Sequence, residues 1–334
     1  MAKSPLGRAK SFILRHHTGL TVIGLALLLT LAPFLLANPF QLDVLSNIGI
    51  FVILVLGLNL FIGSAGQVSL GHAAFFGLGA YGSALLTTAL YLSPWAAMLF
   101  TALLVAAAAL ILGLPILRLK GHYLAMATLG FNYMMYLVFL QWDRVTGGDK
   151  GISNIPYLQI GGLVIDNETR FNYLVWTFAL ISLTLCLNLV RTGVGRGLAA
   201  LAQDEEAAAC LGVDVWRYKV KVFVLSAVLA SLAGSLLVHK KEANVNPDFF
   251  TIFKSLDLVI MVVVGGLGSV WGTLLGVSVV VILPHLLGPL EIYYDLVHGL
   301  ILVLILMFLP QGLVTGLFDQ IRLHLARRRL ARVG

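Results

Sequence analysis

The sequence predicts an all-α polytopic membrane protein of about ten transmembrane helices, some short or broken, with a short cytoplasmic helix between the sixth and seventh. Hydrophobic residues fill 59% of the 334 positions and charged ones only 11%, with a mean hydropathy of +0.96, far from the balance of a soluble domain. Apolar runs long enough to cross a hydrocarbon core of about 30 Å recur along the chain. Between His17 and Arg118 the one formally charged side chain is Asp43.

The elements follow in order. Residues 1–19 form a basic segment, expected in the cytoplasm. The run Leu20 to Ala37 looks like a signal-peptide core but exceeds the roughly 7–15 residues of one, and Leu35 fits the small-residue cleavage rule badly. It is read as a retained first span. Further spans are expected near 44–62, 73–90, 95–117, 122–140, 172–190, 222–238, 255–265, 270–287 and 293–309. The eighth is short, and the break "GGLGSVWG" divides an apolar stretch too long for one crossing. The membrane domain is thus expected over 20–311, followed by a basic cytoplasmic tail over 312–334.

Lysine and arginine decide orientation, because cytoplasmic segments carry an excess of them. Placing the N-terminus inside puts Lys3, Lys10, Arg118, Lys120, Arg191, Arg196, Arg217, Lys219, Lys221, Arg322 and Arg327 to Arg329 together. Both termini are then cytoplasmic, which an even number of spans requires. The net charge of +7 therefore reads as a topology signal, and nucleic acid is not an expected partner. Cys186 and Cys210 supply no disulfide framework and are expected to be packing residues.

The loop 191–221 is the main polar island, "RGLAALAQDEEAAACLGVDVWRYKVK". Strong helix formers with Asp204, Glu205 and Glu206 in mid-run predict a short helix lying across the membrane face and stopped by Gly212. The plain alternative is a solvated connector.

Glu206-Ala207-Ala208-x-x-x-Gly212 matches the EAA-x-x-x-G signature of ABC importer permeases. Its flanks, together with "LGLNLFIGSAGQVSLGHAAFFGLGAYGSALL", "TGGDKGISNIP" and "VVVGGLGSVWGTLLGVSVVVILPHLL", resemble the branched-chain amino acid permease family in the same order, over about residues 45–315. Within that family the chain is similar to the second of the two paired permease subunits. The resemblance implies a bacterial inner-membrane subunit of an ATP-driven importer for branched-chain or related small neutral amino acids, with urea, short amides or aromatic acids as the alternative. It also implies a homologous second permease, two cytoplasmic ATPases docked on the 191–221 loop, and a solute-binding protein on the far side, where the segment from Gln141 to Arg170 lies. In that reading Glu206 is a polar anchor, Ala207, Ala208 and Gly212 permit close approach, and the flanking Arg196 and Arg217 fix register.

No Gly-Lys pair occurs, so a phosphate-binding loop is missing and ATP and Mg are expected on the partner ATPases, with no cofactor and no metal in this chain. The eight histidines show neither HExxH spacing nor a companion CxxC, and GxSxG is absent. A membrane-embedded enzyme would need convergent catalytic groups, and an ion-coupled carrier would show more charged residues within its spans.

"GSAGQVSLGH", Gly63 to His72, breaks the apolar pattern between the second and third spans. Gln67, Ser69 and His72, with Asn59 just before them, are candidates to line a substrate path, since transporters place sites at broken helices. A tight cytoplasmic turn with helix caps is the equal alternative. Gly268, Gly272 and Gly276 at four-residue spacing, and Ala73, Gly77, Ala80 and Ala84 on one stripe, predict close helix packing. Asn59 and Asn132 lie within spans and should hydrogen-bond between helices. Asp257, near the outer end of the eighth span, is expected to snorkel or pair with Lys254.

Overall fold

The computed structural model describes residues 21–33, 38–160, 162–240, 244–286 and 299. The expected terminal segments and the tenth span, 293–309, lie outside those residues. Helix α1 (Thr21–Pro33) is followed by α2 (Pro39–Asn59), whose Asn38 cap accepts a hydrogen bond from the Phe40 N–H at 3.0 Å, with Pro39 in the first turn. A π-helical turn, Leu60–Ser64, prolongs α2. Then come α3 (His72–Thr88), α4 (Pro94–Ile116) and α5 (His122–Gln141). Short α6 (Asp143–Thr146) leads to a two-residue-stranded hairpin of β1 (Gln159–Ile160) and β2 (Leu163–Val164). The chain continues through α7 (Glu168–Arg191), α8 (Gly193–Gln203), α9 (Glu205–Cys210), α10 (Val215–Val238), α11 (Ile252–Gly265) and α12 (Val270–Leu286).

The fold class is as expected, and the apolar helices α1–α5, α7 and α10–α12 fall on the first nine predicted spans. Among the described residues five helices are long and apolar enough to cross a bilayer. Helix α2 is apolar on every side between Ile48 and Leu58, and with α10 it forms the centre of the bundle. Helices α4, α5 and α7 bury narrower stripes and turn Leu99, Leu103, Met126 and Ile181 outward, where in a bilayer hydrocarbon meets them.

Glycine sets the crossing of α3 and α10. A Cβ on Gly79 of α3 would run into the backbone of Ser231 of α10, and one on Gly234 of α10 into the Phe76 carbonyl. Ser235 Oγ seals the contact by donating to the Gly79 carbonyl at 3.1 Å. Ala73, Ala80 and Ala84 are buried on α3. Gly77 differs from the expected packing in kind: it meets the ring edges of Phe139 and Phe250, not a helix backbone.

The apolar stretch after Ile252 does divide, at Gly266 (φ 103°) and Gly268 (φ 73°), a conformation that side chains resist. Gly272 and Gly276 of α12 then lie against Gly265 of α11, so close that a Cβ on Gly272 would collide with the Gly265 carbonyl. Gly268 belongs to the turn and not to that helical stripe. At 14 residues, α11 is about 21 Å long, too short to span. It starts inside the bundle: Lys254 Nζ lies 4.5 Å from the centroid of the Phe51 ring, midway along the continuous helix Pro39–Ser64. Lys254 and Asp257 are therefore placed within the bundle and not at its outer rim.

Helices α2 and α10 run antiparallel, so the bundle has two ends. The loop end carries Gly63–His72, α8 and α9. The far end carries Pro39, Val238 and the β-hairpin, and there Ile152 pairs with Val245 through two backbone hydrogen bonds, tying the "TGGDKGI" loop to the α10–α11 connection. Cys186 is buried, but Cys210 is exposed on α9, a correction to its expected packing role that follows from α9 standing proud of the bundle.

Candidate functional site

The segment predicted as one helix is two. Asp204 turns to extended backbone (φ −160°, ψ 119°) and ends α8. Its side chain accepts hydrogen bonds from the N–H groups of Glu206 (2.8 Å) and Ala207 (3.0 Å), capping α9. Those bonds, Ala207 first, hold its carboxyl below the usual carboxylate range. An aspartate that can satisfy free N–H groups does better as a cap than in mid-helix, which is why the helix breaks here. Gly212 (φ 83°) stops α9 as expected, and Val213 N–H returns to the Ala208 carbonyl at 3.1 Å in a Schellman-type closure.

The two adjacent glutamates face opposite ways. Glu206 is 87% exposed and reaches Lys120 at 3.5 Å. Glu205 turns inward to Lys219 Nζ at 2.5 Å, and Lys219 is 3% exposed. Gln67 Nε2 donates to the same Glu205 oxygen at 2.9 Å and to the Ala65 carbonyl at 3.2 Å. One buried polar knot thus joins the Gly63–His72 break, α9 and the first turns of α10. Gly66 (φ 68°) lets that break lie against Ala202 of α8.

A second set of bonds runs deeper. Ser226 Oγ donates to the Phe223 carbonyl at 2.8 Å, so it can only accept from His72 Nε2, 3.0 Å away, and His72 Nδ1 in turn accepts from Ser69 Oγ at 3.1 Å. Thr128 of α5 receives the Leu70 N–H at 3.0 Å. Gln67, Ser69 and His72 are therefore buried and bonded to protein. Asn59 is engaged likewise: its amide donates to the Ser269 carbonyl (3.0 Å) and Thr273 Oγ1 (2.8 Å) and accepts from Gly268 N–H (2.9 Å), clamping the α11–α12 turn to α2.

Asn132 departs from expectation. It is wholly buried in α5, and neither amide atom has a hydrogen-bond partner among the described residues. Replacing it with leucine, similar in shape, is expected to stabilise the purified chain by about 1–3 kcal/mol, the usual cost of an unsatisfied buried polar group. A lower melting temperature for Asn132→Leu would show that the amide is bonded in the native membrane.

Of the remaining loop residues, Ala208 is the buried residue of α9, whereas Ala207, Gly212 and Arg196 are exposed. Arg217 is held by its own cap, with Nε 3.0 Å from Asp214 Oδ2. The exposed side of α9 continues into Leu211, 81% exposed, and Trp216. An apolar, small-residue knob anchored from beneath by an ion pair is suited to enter a partner's groove. Sequence reading missed Glu205, Lys219 and Leu211. Lys219 was open to detection, since it shares a helical face with Val222, Phe223 and Ser226, all buried.

A bundle of apolar helices, five of them long enough to cross a bilayer, defines a multi-pass membrane protein. The family described as "Branched-chain amino acid transport system / permease component" matches residues 40–306, and the chain belongs to it. It is 34% identical to the high-affinity branched-chain amino acid transport system permease protein LivM of Salmonella typhimurium, over 93% of this chain and 80% of the relative. The permease protein LivH of Escherichia coli K12 is 24% identical over 79% of this chain and 91% of its own length. A shorter match, 31% identical, covers 39% of this chain and 42% of the ribose import permease protein RbsC of Haemophilus influenzae. No solved structure matches the chain significantly.

Proposed function

We propose that this chain is a membrane permease subunit of an ATP-driven importer of branched-chain or related small neutral amino acids, and that α9 is its docking element for a cytoplasmic ATPase. The observation that carries the reading is the exposed Ala207–Leu211 knob held from below by the Glu205–Lys219 pair. The likeness to LivM and LivH supports the substrate class and a homologous second permease as neighbour. On this reading the loop end and both termini are cytoplasmic, and a solute-binding protein meets the far end. ATP and Mg belong to two partner ATPases, and this chain holds no cofactor.

In this scheme Gln67, Ser69 and His72 serve as transmission. A push on α9 reaches Glu205, then Gln67 in the loop and Lys219 on α10, and the His72 bonds carry it to Ser226 two turns further along. Helices linked by such directional contacts shift as units, as alternating access requires.

Glu206→Lys tests the docking role. The side chain is too exposed to support the fold, so the variant should insert and melt as the wild type does. Charge reversal at the proposed contact should abolish substrate-stimulated ATP hydrolysis in the reconstituted complex. Full stimulation in that variant would remove the coupling assignment. Uptake of labelled leucine, ribose, urea and aromatic acids by cells with and without the chain decides the substrate class.

A further inference from the structure

At the far end, opposite the coupling knot, the ends of α2 and α10 enclose a cavity of about 490 Å³, within the roughly 300–1,000 Å³ of small-molecule sites. One wall is charged: Asp43 of α2 and Lys240, just past α10, form an ion pair, with side chains 35% and 13% exposed. Asn47 closes a ring with them, accepting from Lys240 Nζ at 3.0 Å and donating to Asp43 Oδ2 at 3.2 Å. The rest of the lining is mixed, with Val245 and Phe250 beside Asn244 and Asn246. Neither charge is needed to keep a helix in the bilayer, and Lys240, 13% exposed, has given up most of its water for this ring.

From this we infer that the cavity is an entry site for a zwitterionic aliphatic amino acid. Its ammonium exchanges with Lys240 as the partner of Asp43, its carboxylate is received by Lys240 and the Asn47 amide, and its side chain lies on Val245 and Phe250. The inference rests on the substrate class proposed above and adds where, and by what chemistry, that class is recognised. The pair explains selectivity through charge balance. A zwitterion parts the two charges and re-pairs both, whereas an analogue with one charge leaves Asp43 or Lys240 unpaired. Neutral sugars or urea re-pair neither. Phe250 also lies just before the start of α11 inside the bundle, so a solute held here sits next to the entry of that short helix.

The test uses the assembled complex in nanodiscs with L-leucine, leucinamide (no carboxylate) and 4-methylpentanoate (no ammonium), reading the ligand concentration that half-stabilises the protein against heat. Leucine should act at concentrations at least ~10-fold below either analogue, a modest demand for one charge left without its partner. Asp43→Asn should erase the advantage of leucine over 4-methylpentanoate, and Lys240→Gln its advantage over leucinamide. The exchanged pair Asp43→Lys with Lys240→Asp keeps a salt bridge but inverts its polarity, and should weaken leucine at least ~10-fold. Unchanged leucine midpoints in these variants would overturn the site and leave the pair as a structural clamp.

Should those variants fail to fold, Phe249→Cys in a Cys210→Ser background leaves the charges intact. Phe249 lines the cavity and is exposed. Leucine, but neither analogue, should slow its alkylation by a small maleimide, and equal rates overturn the inference. Leucine uptake by the wild-type complex without any such protection would defeat this site alone. Uptake of ribose or urea in place of leucine would defeat the substrate class itself.

Discussion

Glu205→Ala is expected to destabilise the chain by about 3–5 kcal/mol, the usual cost of removing one partner from a buried ion pair. The reason lies with the residue left behind. Lys219 is 3% exposed and pairs with Glu205 at 2.5 Å, so alanine strands a cation under α9, where Gln67, the other partner of Glu205, is neutral. The double variant Glu205→Ala with Lys219→Met should recover most of the loss, because an apolar pair can replace buried charges with little net change. Coupling should not recover with it: the knob would be packed but no longer bonded to Gln67, so substrate-stimulated ATP hydrolysis stays low while the melting temperature returns. Melting curves and ATPase assays on the same three samples check this. Equal melting of Glu205→Ala and wild type would mean that Lys219 reaches water, and the proposed transmission through the knot would fail with it.

The contrast between neighbouring glutamates shows what the sequence could and could not disclose. That Asp204, Glu205 and Glu206 lie in a polar loop between spans is plain from hydropathy, and Gly212 as a helix stop follows from the need for positive φ. Which acid points inward depends on the break at Asp204, a choice between two local hydrogen-bond arrangements that propensity averages over. The apolar helices α1–α5, α7 and α10–α12 were legible, because burial in lipid demands apolar runs, although among the described residues five are long and apolar enough to cross. The Gly266–Ser269 division was legible too, because no single helix of that length fits a bilayer. Asn59 was read as a span residue needing a partner, and it has three. Asn132 was read the same way and has none among the described residues. Nothing in one sequence separates the two, since the difference lies in which helix happens to face each amide. The pairing of Asp43 with Lys240 was out of reach for the same reason: almost two hundred positions separate them, and only the antiparallel packing of α2 on α10 brings them together.

Glycine substitutions should divide by what faces each one, and the sign of the effect is the test. In an open helical position Gly→Ala stabilises by roughly 1 kcal/mol, because alanine loses less backbone freedom on folding. Gly130 of α5 is such a position, with nothing within 4 Å of a built Cβ, and Gly130→Ala should raise the melting temperature of the purified chain. At Gly234 the same change should lower it steeply. The added methyl would meet the Phe76 carbonyl and come 2.8 Å from the Ala80 nitrogen, both backbone atoms of α3, which cannot swing aside as a side chain can. Helices α3 and α10 must then separate, opening the best-packed crossing in the bundle and breaking the Ser235 to Gly79 hydrogen bond. Gly272→Leu should fail on the same ground against the Gly265 carbonyl, whereas Gly77→Ala meets the rings of Phe139 and Phe250, which can tilt at a cost of about 1–3 kcal/mol. Stabilisation by Gly234→Ala, matching that of Gly130→Ala, would show that the two helices are held apart by something other than glycine contact and would undo this account of the core.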